Sequence, residues 1–201
     1  MFVIDNPETA ECTLPTAFGQ FQLRLFVNPA DQSHNVALVM GRVAGDEAVL
    51  ARIHSECLTG EVFSSQRCDC RHQLWSALGA IAEHGTGVLL YLRQEGRGIG
   101  LANKIRAYGL QEAGLDTFEA NLALGLPVDS RDYYFAGIMF RSLGIRRVRL
   151  MTNNPQKAAA LNQLGTEVVE QIRMSGGRTP YNGAYLSAKV SISGHDPALL
   201  D

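Results

Sequence analysis

The chain has 201 residues, 46% of them hydrophobic and 19% charged, with 18 lysines and arginines against 20 aspartates and glutamates for a net charge of −2. That is the profile of a globular protein with enough chain to bury a core. The lack of a basic excess gives no footing for nucleic acid or an anionic membrane, and no apolar run approaches the length of a membrane span.

In chain order, the N-terminus Met1-Phe2-Val3-Ile4-Asp5 lacks the basic region and apolar stretch of a signal peptide, so a reducing cytoplasm is expected. Residues 18–27, 35–43 and 49–53 read as strands broken by Gly, Pro, Asn and Asp. From residue 72 the texture changes. Residues 72–84 read as a helix ending at Gly85, and 88–92 as a buried strand. A glycine-rich loop, 94–100, leads into a helix over 101–113 stopped by Gly114. A further helix is expected from about Asp129, taken as its N-cap, to Gly144, then a strand over 148–151. Asn154-Pro155 opens a helix that runs to Gly165, and Val168-Val169 reads as a last strand. The tail, 173–201, has little periodicity and is expected to be loose or wrapped on the surface. The fold class is therefore mixed α/β (α+β): a β-rich antiparallel part over 1–66, packed with an α/β part over 67–172 of mostly parallel strands and flanking helices, in one domain spanning 1–201.

Four cysteines occur, and Cys57, Cys68 and Cys70 fall in one short window. Three thiolates can hold Zn2+ and leave its fourth tetrahedral position open, the mark of a catalytic rather than a structural site. His54 and His72 lie close enough in sequence to supply a fourth ligand, which would close the site. Cys12 stands apart and reads as an ordinary small apolar residue.

Cations sit where helix starts are expected, although a helix N-terminus carries partial positive charge. Arg131 follows Asp129, Lys157 follows Asn154-Pro155, and Arg97 precedes the helix at Leu101. Solvated surface charges are the plain account. An anion shared among them, phosphate first, is the functional one. The loop Glu95-Gly96-Arg97-Gly98-Ile99-Gly100 allows close backbone approach but matches neither the dinucleotide fingerprint nor the P-loop. Tyr108 follows Lys104 by four residues and shares its helix face. Thr152 ends a strand before a helix, where open α/β sheets bind ligands.

The runs Arg52-Ile53-His54-Ser55-Glu56-Cys57-Leu58-Thr59-Gly60, Arg67-Cys68-Asp69-Cys70, Arg93 to Gly100, Asn103 to Tyr108, Asp116-Thr117 and Thr152-Asn153-Asn154-Pro155 together resemble GTP cyclohydrolase II, the enzyme that opens the guanine imidazole ring at the first step of riboflavin synthesis. The resemblance implies one catalytic Zn2+ on Cys57, Cys68 and Cys70. It implies GTP bound by Arg52, Ile53, His54, Ser55, Glu56, Gln73, Glu95, Gly96, Arg97, Thr117, Thr152 and Lys157, with Mg2+ accompanying the triphosphate. Asp129 would be the general base, Arg131 the nucleophile toward the α-phosphorus, and Tyr108 a partner of the guanine. A guanidinium stays protonated, so a clamp on transition-state charge is the physically cheaper role for Arg131. The products would be formate, pyrophosphate and a diaminopyrimidine, and the protein a cytoplasmic homodimer. Two alternatives remain open. One is a paralogue in a secondary guanine-derived pathway. The other is a zinc nucleobase deaminase, for which His54-Ser55-Glu56 supplies H-x-E but Cys68-Asp69-Cys70 lacks the Pro-Cys-x-x-Cys pattern.

Overall fold

The computed structural model describes residues 8–193 apart from Val128. Seven strands form one sheet in the order β1-β2-β3-β5-β4-β6-β7. The strands are β1 (Glu8–Thr16), β2 (Gly19–Val27), β3 (His34–Met40), β4 (Val49–Ser55), β5 (Gly87–Leu92), β6 (Arg147–Met151) and β7 (Glu167–Ile172). The first three pair antiparallel, and β3 joins β5 antiparallel. From β5 through β4 and β6 to β7 the strands run parallel. The mixed α/β architecture is as expected, with one correction. β4 lies in the stretch read as antiparallel, yet it pairs parallel on both sides. Its burial on both faces is the physical reason, since parallel strands sit covered by helices. The edge strand β1 escapes the hydrophobic pattern because its run Glu8-Thr-Ala-Glu-Cys-Thr-Leu-Pro-Thr16 is polar and carries a proline, both tolerated at an edge. Cys12, read as an ordinary apolar residue, is exposed on it.

Among the described residues seven α-helices accompany the sheet: α1 (Leu58–Glu61), α2 (Cys70–His84), α3 (Leu101–Glu112), α4 (Thr117–Ala123), α5 (Tyr134–Ser142), α6 (Pro155–Gln163) and α7 (Gly183–Ser193). The alternation of strand side chains divides the core in two. Ala51, Ile53, Val88, Leu90, Val148 and Leu150 pack with Phe140 of α5 and Leu161 of α6. Leu50 and Leu89 point the other way, to Ala77, Leu78 and Ile81 of α2. α2 ends on Gly85 in the left-handed conformation, φ 78°, as its sequence predicts. α6 opens on Asn154, whose side chain accepts from the Gln156 amide, with Pro155 in its first turn.

Two expectations fail. α5 starts at Tyr134, not near Asp129, and Tyr133 occupies the cap position without a side-chain cap. The Asp129 carboxylate instead accepts from the backbone and guanidinium of Arg131, closing a turn of its own. Over its described residues, 173–193, the tail is not loose, and 194–201 lie outside the described residues. It carries α7, and Met174, Asn182 and Leu186 are buried. Its helix pattern is weak because a buried lysine, Lys189, shares the inward side with Leu186.

Candidate active site

The functional side chains gather at the carboxyl ends of β4, β5 and β6, where an open parallel sheet presents its loops. Along β4 the core residue Ile53 alternates with Arg52 and His54, which face the side of the sheet covered by α2. The three cysteines follow from there. Cys57 precedes α1, Cys68 ends the connecting loop, and Cys70 opens α2. Their sulfurs all lie within 4.8 Å of one another, the only such group of potential metal ligands among the described residues. Neither His54 nor His72 joins it. His54 is buried with its Nε2 2.7 Å from Glu61 Oε1, and His72 is held near Ser175.

A Cβ on Gly60 would come 2.7 Å from Cys68 Sγ and 3.3 Å from Cys57 Sγ, so only glycine leaves the sulfurs their space. Lys104 Nζ lies 3.1 Å from Cys57 Sγ and 2.7 Å from Glu95 Oε1. Glu95 also accepts from the Leu58 amide at 2.7 Å, which ties the loop after β5 to α1. The thiols do not ionise alike. Hydrogen bonds from Cys68 and Cys70, with the charge of Lys104, hold Cys57 far below its ordinary value. The hydrogen bond to Cys57 pushes Cys68 up to about 11, and Cys70 is raised further by the same crowding. Three sulfurs this close cannot all carry charge without a counter-charge, and metal binding requires the thiolates. The donor set, its spacing and the glycine cradle fit a metal ion.

These sulfurs line a cavity of about 480 Å³ with Lys104, Tyr108, Glu95 and Arg97. Tyr108 lies with Lys104 on one face of α3, and the ammonium is 5.8 Å from its ring. Burial raises the phenol, with Lys104 opposing, so it stays protonated at neutral pH. A second, smaller cavity is lined by Arg52, Arg97, Arg131, Lys157 and Lys189 and by no carboxylate. Ser55, Cys70, Arg97, Arg131 and Tyr185 line both, so the two are adjoining rooms with one partition.

Asp129 forks onto Arg131, accepting from its Nε at 2.9 Å. Burial alone would raise this carboxyl; the bonds and charge of Arg131 outweigh it and hold it below the ordinary range. Lys189 pairs with Asp69 at 2.6 Å. Arg52, Arg97 and Lys157 have no ion pair among the described residues. Arg52 donates to the Met151 carbonyl at 2.8 Å and to Gln73 at 2.5 Å. Burial, against the pull of Asp69, lowers it to about 10. Lys157 donates to the Ile53 carbonyl at 2.8 Å, and burial followed by Arg52, Arg131 and Lys189 drives it well below the usual lysine range. Taking charge out of water without a counter-charge is costly. Cations gathered around one cavity in this way could hold a polyanion.

Other expected residues are placed as follows. Ser55 accepts from Gln94 at 2.9 Å and Glu56 from Arg93 at 2.7 Å. Thr152 lines the cationic cavity but accepts from the Asn154 amide at 3.0 Å within its own turn. Gly96 and Arg97 are left-handed at φ 64° and 59°, an unusual conformation for arginine. Thr117 opens α4, and its side chain lies outside the described residues. Lys104, Asp69, Tyr185 and Lys189 were missed from the sequence. Only the spacing of Lys104 from Tyr108 signalled any of them.

A family model described as GTP cyclohydrolase II matches residues 7–173. The chain is similar to GTP cyclohydrolase-2 of Hahella chejuensis, 53% identical and covering 92% of this chain and 90% of that one. It is 52% identical to GTP cyclohydrolase-2 of Histophilus somni, over 92% of this chain and 86% of the relative. It is also 52% identical to the riboflavin biosynthesis protein RibBA of Bacillus cytotoxicus, where it covers 92% of this chain and 47% of the relative. Among solved structures it is similar, at a TM-score of 0.45 and 19% identity, to a two-domain 3,4-dihydroxy-2-butanone 4-phosphate synthase from A. baumannii, over 83% of this chain and 39% of that one. That likeness is too slight to bear on the site.

Proposed function

The chain belongs to the GTP cyclohydrolase II family of enzymes, and from that premise we propose that it hydrolyses GTP with release of formate and pyrophosphate, as the first step of riboflavin biosynthesis. The observation that carries this reading is the pair of adjoining rooms, one lined by three thiols and a tyrosine, the other by cations without carboxylates. A purine occupies the first and a triphosphate the second, with the ribose crossing the partition.

Cys57, Cys68 and Cys70 would hold Zn2+, whose Lewis acidity supplies water activation at the guanine end. Tyr108 stays protonated and donates to the guanine. Lys104, held by Glu95 and Cys57, keeps the sulfurs charge-compensated. At the phosphate end Arg52, Arg97 and Lys157 bind oxygens. Arg131, locked in orientation by Asp129, places its free N–H groups toward the α-phosphate, where charge grows as pyrophosphate leaves. We assign Arg131 the clamp and Asp129 the orienting and proton-accepting role, because a guanidinium so paired is raised above its ordinary value, burial notwithstanding. Mg2+ accompanies the triphosphate, bound chiefly by phosphate oxygens and water. The enzyme acts as a cytoplasmic homodimer; exposed Val62, Phe63, Ile105 and Leu122 offer apolar surface for such contact.

The test is incubation with GTP, Mg2+ and Zn2+, with formate and pyrophosphate assayed in one sample. Both products are expected. Ammonia in place of formate would mark a deaminase and overturn the ring-opening reading.

A further inference from the structure

The tail helix α7 enters the site by two residues that neither the mechanism nor the sequence motifs use. Tyr185 lines both rooms. Its ring lies 4.6 Å from Lys189 Nζ and 5.9 Å from the Arg97 guanidinium carbon. Among the described residues its hydroxyl has no hydrogen-bond partner, and the residue lies at the wall common to both cavities. One turn further on, Lys189 Nζ lies 2.6 Å from Asp69 Oδ1, with both side chains buried. Asp69 stands between two of the cysteines, and its other oxygen accepts from Gln73 at 2.5 Å. Gln73 in turn accepts from Arg52 at 2.5 Å. A chain of contacts therefore runs from the tail to the cysteine loop and on to the cationic room. The preceding segment is anchored as well: Met174 exchanges backbone bonds with the Asn153 side chain at 2.6 and 2.9 Å, and Thr179 donates to the Gln66 carbonyl at 2.6 Å.

We propose that α7 completes the active site, with Tyr185 contacting the nucleotide where it crosses the partition and Lys189 positioning the Cys68–Cys70 loop through Asp69. This rests on the GTP reading above. Tyr185 donates its free hydroxyl to a ribose or α-phosphate oxygen. Lys189, although it borders the cationic room, acts through Asp69: it neutralises a buried carboxylate that stands between Cys68 and Cys70.

The experiment compares wild-type holoenzyme with Tyr185→Phe, Lys189→Met and the double variant Asp69→Asn/Lys189→Met. Initial rates of formate release against GTP give KM and kcat, and zinc release to a chromogenic chelator reports the cysteine loop independently of turnover. Loss of one neutral hydrogen bond should raise KM of Tyr185→Phe by about 3- to 10-fold with kcat little changed and zinc release unaltered. Lys189→Met should speed zinc release about 10-fold, as loss of a residue supporting metal ligands does, and the double variant should be no faster than Lys189→Met alone. A Tyr185→Phe KM equal to wild type overturns the substrate contact, and that conservative variant decides the matter even if Lys189→Met does not fold. Zinc release equal to wild type in Lys189→Met, with only its melting temperature lowered, overturns the positioning role. A wild type that binds zinc but yields no formate would instead sink the GTP reading, while the zinc measurement still decides Lys189.

Discussion

At the scale of single residues, the tightest constraint in the site is one that contributes no functional group. Gly60 faces the sulfurs of Cys68 and Cys57 at distances where a methyl group cannot fit. We expect Gly60→Ala to lose metal affinity about 10- to 100-fold and formate production with it, while the metal-free protein melts close to wild type; metal analysis after dialysis checks this. His54 makes the second residue-scale expectation. Burial lowers its pKa, followed by Arg52 and Lys157, with Glu61 opposing. The folded protein thus keeps this imidazole neutral, whereas the unfolded chain protonates it below about 6.5. Its contribution to stability is full above that value and is lost as pH falls through the lowered folded value. The urea midpoint should therefore drop between pH 7.5 and 5.5, and His54→Gln should flatten that slope. An unchanged slope in His54→Gln would refute the assignment. Much of this scale was legible in advance. The spacing of Cys57, Cys68 and Cys70 pointed to a group that could hold a metal, and their sulfurs do lie together; Arg97, Arg131 and Lys157, expected around one anion, line one cavity, Arg131 from a turn rather than from a helix start.

At the scale of elements, the loop after β5 holds the loop before α5. The Ser130 amide donates to the Arg97 carbonyl at 2.9 Å, and a Cβ on Gly98 would come 2.8 Å from the Ser130 carbonyl oxygen. Gly98 is also left-handed at φ 87°. Gly98→Ala should cost about 1–3 kcal/mol of stability and lower pyrophosphate release more than zinc content, because it displaces Asp129 and Arg131 rather than the cysteines. Chemical denaturation and product assays on one preparation separate the two effects. Helix starts and stops that depend on local chemistry, Gly85 after α2 and Asn154-Pro155 before α6, could be read from the chain. The start of α5 could not, because the Asp129 carboxylate takes both the backbone amide and the guanidinium of Arg131 and closes a turn there instead of capping a helix. Nor could α7, whose buried positions mix Leu186 with Lys189, the latter meeting Asp69 rather than a hydrophobic core.

For the whole molecule, one sheet carries the antiparallel hairpins at one edge and the chemistry at the carboxyl ends of its parallel half. The sequence pattern revealed both halves but not their continuity, since strand order is set by contacts distant in the chain. The cations around the smaller room oppose folding until something negative arrives. Lys157→Met should therefore melt above wild type without ligand, yet gain less from inorganic pyrophosphate. Wild type should gain on the order of 2.7 kcal/mol at a pyrophosphate concentration 100 times its dissociation constant, readable as a thermal shift. A Lys157→Met protein that melts lower and gains equally would show that the lysine is structural.

That same crowd of cations has a consequence for the protein's lifetime. A chain stabilised by a bound anion exposes its backbone to proteases least often when that anion is abundant. We expect its half-life in a cell to lengthen as the GTP pool rises, so that the amount of catalyst follows the supply of what it consumes without any regulator. Limited proteolysis that proceeds at the same rate with and without pyrophosphate would rule this out.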